Sequence, residues 1–325
     1  MIAPAVTTSF LVSLCCALLL LSPRIRRFAL DHPNERSLHE RPVPRTGGIA
    51  VLAGAATALG FGAGSMWLAL TLALALAAVS LLDDIFGMPA WLRLACHGAA
   101  AAVLVWHAAG SAAPAEIVLL VLGVAWITNL YNFMDGSDGL AGGMSVLGFG
   151  TYALAAELAG ADAMAIVSSA TAAASLAFLL LNFHPARIFL GDVGSIPLGF
   201  LAGGLGLVGW SDGLWPLWFP LLVFGPFIGD ATLTLARRLA RRERVWQAHR
   251  DHYYQRLVRM GFGHRGTAWI AYAATAACAA GALYGRNQPP AVQAAVFAVG
   301  SGILAAIAVW VDVKWARFRG AGSKA

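Results

Sequence analysis

The chain has 325 residues, of which 12% are charged and 59% hydrophobic, with a mean hydropathy of +0.71. A soluble domain is about a quarter charged and about half apolar, so this composition excludes an ordinary water-soluble protein and points to the bilayer as solvent. The formal charge of +6 is concentrated in short loops, which suits anionic headgroups and phosphate ligands; no nucleic-acid motif is present, and no nucleic-acid partner is expected.

A hydrocarbon core of about 30 Å takes about 17–25 apolar residues to cross as a helix. Eleven such stretches recur, at 3–22, 47–65, 66–82, 92–109, 115–133, 139–158, 162–182, 195–210, 214–236, 267–285 and 290–313. The expected fold is an all-α polytopic membrane protein, one membrane domain over residues 1–325. Lys and Arg near span ends are retained in the cytoplasm. An outside amino terminus and an inside tail place 21 of the 22 Lys and Arg residues on one side, leaving only Arg286 outside. The first loop carries Arg24, Arg26 and Arg27, and the tail carries Lys314, Arg317, Arg319 and Lys324. The cytoplasmic loops are then 23–46, 83–91, 134–138, 183–194 and 237–266. No basic segment precedes the first span and no small-residue cleavage site follows it, so it reads as a retained anchor. Cys15, Cys16, Cys96 and Cys278 lie inside spans without metal-ligand spacing and read as small buried hydrophobes.

Ionisable side chains and amides cost several kcal/mol in or beside apolar segments unless paired or used. Here they collect at cytoplasmic span ends. Asp83 and Asp84 close the third span in Leu81-Leu82-Asp83-Asp84-Ile85-Phe86-Gly87. Adjacent carboxylates repel, and a cation holds both ionised, which suits a metal platform or a base. Asn129, Asn132, Asp135 and Asp138 follow at every third residue, with Gly136 and Gly139 breaking the helix after each Asp. This run lacks the twelve-residue spacing and terminal Glu of a calcium-binding EF-hand loop. Asn182 and His184 precede Gly191-Asp192-Val193-Gly194-Ser195, where Ser195 is expected to cap the next helix and its amino terminus to favour anions. The segment from Arg237 to Arg265 holds nine arginines, and within it His249, Arg250 and His252, with the histidines three apart on an expected helix. Asp230 is placed either in an ion pair with Arg237 and Arg238 or at the site, and His97 and His107 read as structural. Carboxylate oxygens are hard ligands suited to Mg²⁺, which binds through one or two carboxylates and substrate phosphates.

Taken with Arg41-Pro42-Val43-Pro44-Arg45-Thr46-Gly47-Gly48, these groups resemble, in order, the polyprenyl-phosphate N-acetylhexosamine-1-phosphate transferase superfamily, over nearly the full chain. The resemblance implies Mg²⁺-dependent (or Mn²⁺-dependent) transfer of a sugar-1-phosphate from a UDP-N-acetylhexosamine donor to undecaprenyl phosphate at the cytoplasmic face of the bacterial inner membrane, with release of UMP. It implies a catalytic role for Asp83, as base on the lipid phosphate, and for its partner Asp84. It further implies Mg²⁺ on Asp192 and Asp84, and substrate contacts from Asn129, Asn132, Asp135, Asp138, Asn182, His249, His252, Arg250, Arg45 and Thr46. A homodimer is expected on the same basis. Ile85-Phe86-Gly87 replaces the Lys common after the acidic pair of the muropeptide translocases, and the histidines are not consecutive. Both departures resemble the branch initiating O-antigen of lipopolysaccharide more than the phospho-N-acetylmuramoyl-pentapeptide transferases. An ion-coupled secondary transporter would place its polar site near the midplane, and a non-catalytic scaffold would not need acids and amides gathered at one face.

Overall fold

The computed structural model describes residues 1–25, 30–31, 42–244 and 249–322. Arg26, Arg27, Arg41 and Lys324 therefore lie outside the described residues. The helices run α1 Ile2–Leu20, α2 Gly47–Ala56, α3 Trp67–Phe86, α4 Ala90–Ala109, α5 Pro114–Phe133, α6 Leu140–Leu158, α7 Asp162–Asn182 and α8 Asp192–Ser211. They continue with α9 Trp218–Val223, α10 Gly225–Ala240, α11 Tyr253–Leu257, α12 Gly263–Gly285 and α13 Pro290–Gly322. Among the described residues, the strands are one antiparallel pair of two residues each, β1 Leu30–Asp31 and β2 Val43–Pro44.

Eight helical stretches among the described residues are long and apolar enough to cross a membrane, which makes this a multi-pass membrane protein. Each of the eleven expected stretches is mainly helical, though not always as one rod. The second is α2 followed by 3₁₀ turns at Thr57–Phe61 and Gly64–Met66, and the ninth is split into α9 and α10 at Phe224. Pro226 lies at the start of α10, where its missing N–H costs nothing. The third span runs farther than expected. α3 continues to Phe86 and stops at Gly87, whose φ of 68° is open to glycine. Asp83 and Asp84 thus stand on a helical turn rather than in a loop.

α8 is the central rod: 89% of its apolar window is buried, against 17% in α13. Apolar lipid gives helices little reason to associate, so close packing of small residues must do it. A Cβ on Gly199 would lie 2.7 Å from Tyr131 Cβ, which sets α8 tightly on α5. Ser9 and Ser13 of α1 donate to Gly54 O and Ala174 O at 2.8 and 2.9 Å, fastening α1 to α2 and α7.

A close approach of backbone to backbone joins two helix beginnings. A Cβ on Gly48, in the first turn of α2, would lie 2.3 Å from both N and Cα of Gly194 in α8. Both positions therefore exclude any side chain. Gly48→Ala is expected to lower stability by about 1–3 kcal/mol through overpacking, read as a lower melting temperature of the detergent-purified protein; an unchanged melt would contradict the contact.

Candidate active site

The end of α3 and the start of α4 form a corner held by Asp83. One carboxylate oxygen accepts the Met88 N–H at 2.7 Å and the other accepts Arg93 Nη1 at 2.7 Å. Asp84, one residue on, lies 3.6 Å from Arg45 Nη2. The two acids expected to act as a pair are thus differently employed: Asp83 is spent on a turn and a guanidinium, while Asp84 meets Arg45.

Arg45 is delivered by the strand-like segment entering α2. Phe189 N–H donates to Pro44 O, and Gly47 and Gly48 N–H donate to Phe189 O and Leu190 O, all at 2.8–2.9 Å. Gly191 closes this pairing with φ of 70°, and a Cβ there would lie 2.6 Å from Arg45 O. Among the described residues, Thr46 Oγ1 and Arg45 Nε are buried without a hydrogen-bond partner, two donors left over beside the paired helix beginnings. Asp192 is the first residue of α8, where the helix dipole favours its charge. Ser195 does not cap this helix as expected. Gly191 occupies the cap position, and Ser195, one turn in, donates to Asn132 Oδ1 at 2.8 Å.

Asp192 lies within the field of Asp84, Arg45, Arg93 and Asp83, and Asp135 within that of Asp192. Asp135 keeps some accessible surface, yet the dense packing around it, reinforced by the Asp192 charge, pushes its carboxyl well above the usual carboxylate range; the Gly191 N–H opposes this. Four carboxylates face two guanidiniums, an excess of two negative charges when all are ionised. That matches the charge of one divalent cation, and the all-oxygen donor set suits Mg²⁺.

Other expected site residues turn inward to the protein. Asn182 Oδ1 accepts the Gly139 N–H at 2.9 Å while its Nδ2 donates to Ile188 O at 2.9 Å, joining the two loops. Asn129 Nδ2 donates to Ala125 O, and its Oδ1 lies 3.1 Å from His97 Nδ1. Asp138 accepts the Ala186 N–H at 3.1 Å and sits 2.6 Å from His184 Nδ1. With His264 it forms a group whose nitrogen and oxygen atoms lie within 4.8 Å of one another, close enough for a cation but already hydrogen-bonded. His264 Nδ1 is 2.8 Å from Ser137 Oγ.

His249 and His252 are not on a helix, contrary to expectation, because α11 begins only at Tyr253. Their rings lie 4.8 Å apart, with Arg250 between them in sequence. This segment docks on the Asn129–Asp138 run: Tyr254 Oη donates to Phe133 O at 3.2 Å, and the His252 ring stacks on Phe133 at 6.4 Å. Asp230 pairs with His252 Nδ1 at 3.0 Å rather than with Arg237 or Arg238; Arg237 instead bonds Asp312. The acidic, amide and histidine groups from Asp83 to His252 therefore converge at one end of the bundle. Sequence reasoning missed Arg93 and His264 as site neighbours. Arg93 carried a signal, a cation in the first turn after an acidic pair; His264 carried none.

Burial first, then the neighbouring His252 and Arg238, hold His249 down to about 4. Between its ordinary value near 6.5 and that value, the unfolded chain binds a proton that the folded protein refuses, so this residue makes stability fall as pH drops through the window. The wild-type melting temperature is expected to fall more steeply from pH 7 to pH 5 than that of His249→Gln; parallel curves would contradict the assignment.

The model of the family described as glycosyl transferase family 4 matches residues 66–209, a stretch holding every one of these carboxylates from Asp83 to Asp192 but not the histidine segment. A probable undecaprenyl-phosphate N-acetylglucosaminyl 1-phosphate transferase of Bacillus subtilis is 30% identical over 295 residues, covering 82% of this chain and 81% of that protein. A decaprenyl-phosphate N-acetylglucosaminephosphotransferase of Mycobacterium tuberculosis is 29% identical over 338 residues, 88% and 82% of the two chains. A phospho-N-acetylmuramoyl-pentapeptide-transferase of Symbiobacterium thermophilum is 52% identical, but over only 83 residues, a quarter of each chain. With that extent of likeness added to the shared carboxylate segment, the chain belongs to glycosyl transferase family 4.

Proposed function

We propose that this protein transfers a sugar-1-phosphate from a UDP-N-acetylhexosamine to undecaprenyl phosphate, releasing UMP, at the cytoplasmic face of the bacterial inner membrane. The observation that carries this reading is the cluster of Asp84, Asp135 and Asp192 with Arg45 and Arg93 at one end of an apolar helix bundle. A lipid-borne phosphate and a soluble nucleotide can meet there and nowhere within the bilayer. The full-length relatives are named for polyprenyl-phosphate acceptors and N-acetylglucosamine, which favours UDP-N-acetylglucosamine or a 6-deoxy relative as donor and initiation of O-antigen or a related envelope polysaccharide as the role. The one-sided placement of 21 of 22 basic residues supports eleven crossings with the cluster inside.

In this reaction an oxygen of the lipid phosphate attacks the β-phosphorus of the donor, and the bond from that phosphorus to the oxygen bridging to UMP breaks. Phosphoryl transfer gains most from positioning and charge stabilisation. Asp84, Asp135 and Asp192 are the residues that would hold Mg²⁺, whose chemistry is to neutralise charge on the transferring oxygens. Arg45 and Thr46, with donors to spare, bind phosphate oxygens beside the paired helix beginnings. Asp83, bonded to Met88 N–H and Arg93, fixes the turn that presents Asp84 and is the carboxylate beside it that would act as base on the lipid phosphate. The histidine segment, docked on the Asp135 loop, supplies the remaining contacts to the donor diphosphate.

Purified protein in detergent, given undecaprenyl phosphate, Mg²⁺ and one UDP-N-acetylhexosamine at a time, is expected to release UMP only with lipid, metal and a preferred sugar. Asp192→Asn and Asp83→Asn are each expected to lower the rate at least about a hundredfold while inserting normally. Folded wild-type protein that releases no UMP from any donor would sink the reaction and favour a carrier of nucleotide sugars.

A further inference from the structure

Asp230 has work that the proposed reaction does not yet explain. It stands in the second turn of α10 and reaches across to the histidine segment. Its Oδ1 accepts the Tyr253 N–H at 3.0 Å and its Oδ2 the Tyr254 N–H at 2.9 Å, so a carboxylate from another helix caps α11. The same Oδ1 lies 3.0 Å from Nδ1 of His252, the residue just before α11. Thr234 Oγ1 adds a bond at 3.2 Å, and the side chains of both Asp230 and His252 are buried.

Both Asp230 oxygens act as acceptors of backbone N–H groups, so the proton shared with the ring is assigned to His252 Nδ1. The ring stacks on Phe133 at 6.4 Å and on Tyr254 at 5.8 Å, and turning it to exchange its nitrogens would break its bond to Asp230. His249, 4.8 Å away, has a different setting: burial first, then the neighbouring His252 and Arg238, hold it down to about 4, with Asp251 and Glu243 opposing. Of the two neighbouring rings, only His252 has a buried carboxylate to balance a positive charge. The capped backbone ties this ring to the Asp135 loop, because Tyr254 Oη bonds Phe133 O and a Cβ on Gly136 would lie 2.2 Å from that hydroxyl.

We propose that Asp230 is a positioning residue for His252, fixing its proton on Nδ1 and leaving Nε2 as the nitrogen that meets an anionic oxygen of the donor diphosphate. The assignment of the ligand rests on the proposed reaction; the pairing itself does not. When the diphosphate arrives, Nε2 takes up a proton from solvent, the carboxylate balances the imidazolium so formed, and Nε2–H donates to the phosphate oxygen. A carboxylate oriented against a histidine acts in this way in hydrolytic triads.

The test uses the full chain in detergent with ¹⁵N-labelled histidine, the His252 signal being assigned by its loss in His252→Gln. Without substrate, the wild-type ring is expected to carry its proton on Nδ1. In Asp230→Asn, whose amide oxygen still accepts the Tyr254 N–H while its NH2 replaces the oxygen facing His252 Nδ1, the proton moves to Nε2. With UDP-N-acetylglucosamine and undecaprenyl phosphate, Asp230→Asn is expected to lose at least about tenfold in kcat/KM at pH 8 and markedly less at pH 6, with Asp230→Glu recovering part of the loss. A wild-type ring protonated on Nε2, or a loss in Asp230→Asn that is equal at both pH values with the tautomer unchanged, would overturn the proposal. Because the tautomer is read without turnover, absence of UMP release from the wild type contradicts the reaction alone and leaves the Asp230–His252 pairing to the spectrum.

Discussion

The contact between Gly48 and Gly194 is the constraint on which the rest of the site depends. With no side chain on either residue, α2 and α8 begin against one another, and the backbone donors of Gly47 and Gly48 are satisfied by Phe189 O and Leu190 O. That pairing carries Arg45 over the start of α8, within reach of Asp84 and in the field of Asp192. Any Cβ at either glycine would push these beginnings apart, and the charges they carry would lose register. The packing of α8 against α5 extends the same principle, since Gly199 admits the Tyr131 side chain and Ser195 bonds Asn132.

The polar residues divide into those that hold the site together and those left over for a ligand. Asn182 spends both ends of its amide on joining two loops, Asn129 is tied to His97 and its own helix, and Asp138 caps Ala186 beside His184. Asp83 secures the corner between α3 and α4. Asp84, Asp135 and Asp192 remain, together with Arg45 and Thr46. Buried polar groups are expensive unless satisfied, so the unpartnered Thr46 Oγ1 and Arg45 Nε, and a carboxyl at Asp135 pushed up by its surroundings, are costs that the ligands of the proposed reaction would relieve. The cost of this arrangement is met elsewhere in the bundle, chiefly by the buried contacts of α8 and its neighbours.

Much of this was readable in the chain itself. Long apolar stretches interrupted by basic loops required a membrane protein, and the helices fall on those stretches, because both length and hydropathy are set locally. The carboxylate groups were visible as polar residues where apolar ones are the rule. What escaped was the division of labour. Asp83 and Asp84 look alike in sequence, yet a helix that continues to Gly87 gives one to Arg93 and the other to Arg45. Ser195 reads as a cap only if the helix starts late; a glycine able to take φ of 70° at position 191 starts it early. The histidines three apart suggested one helical face, but the carboxylate of Asp230 begins the helix after them. The partnerships of Asp230 with His252 and of Asp138 with His264 span 22 and 126 residues or more, and no local pattern encodes such distances.

The central claim is that the carboxylates gathered by the Gly48–Gly194 contact form a site for one divalent cation. Its most direct test is an electron paramagnetic resonance titration of the purified protein with Mn²⁺ as a paramagnetic substitute for Mg²⁺. One bound Mn²⁺ per chain, displaced by Mg²⁺ and lost in both Asp84→Asn and Asp192→Asn, is the predicted result. Binding of the same stoichiometry and affinity in the two variants would contradict the account.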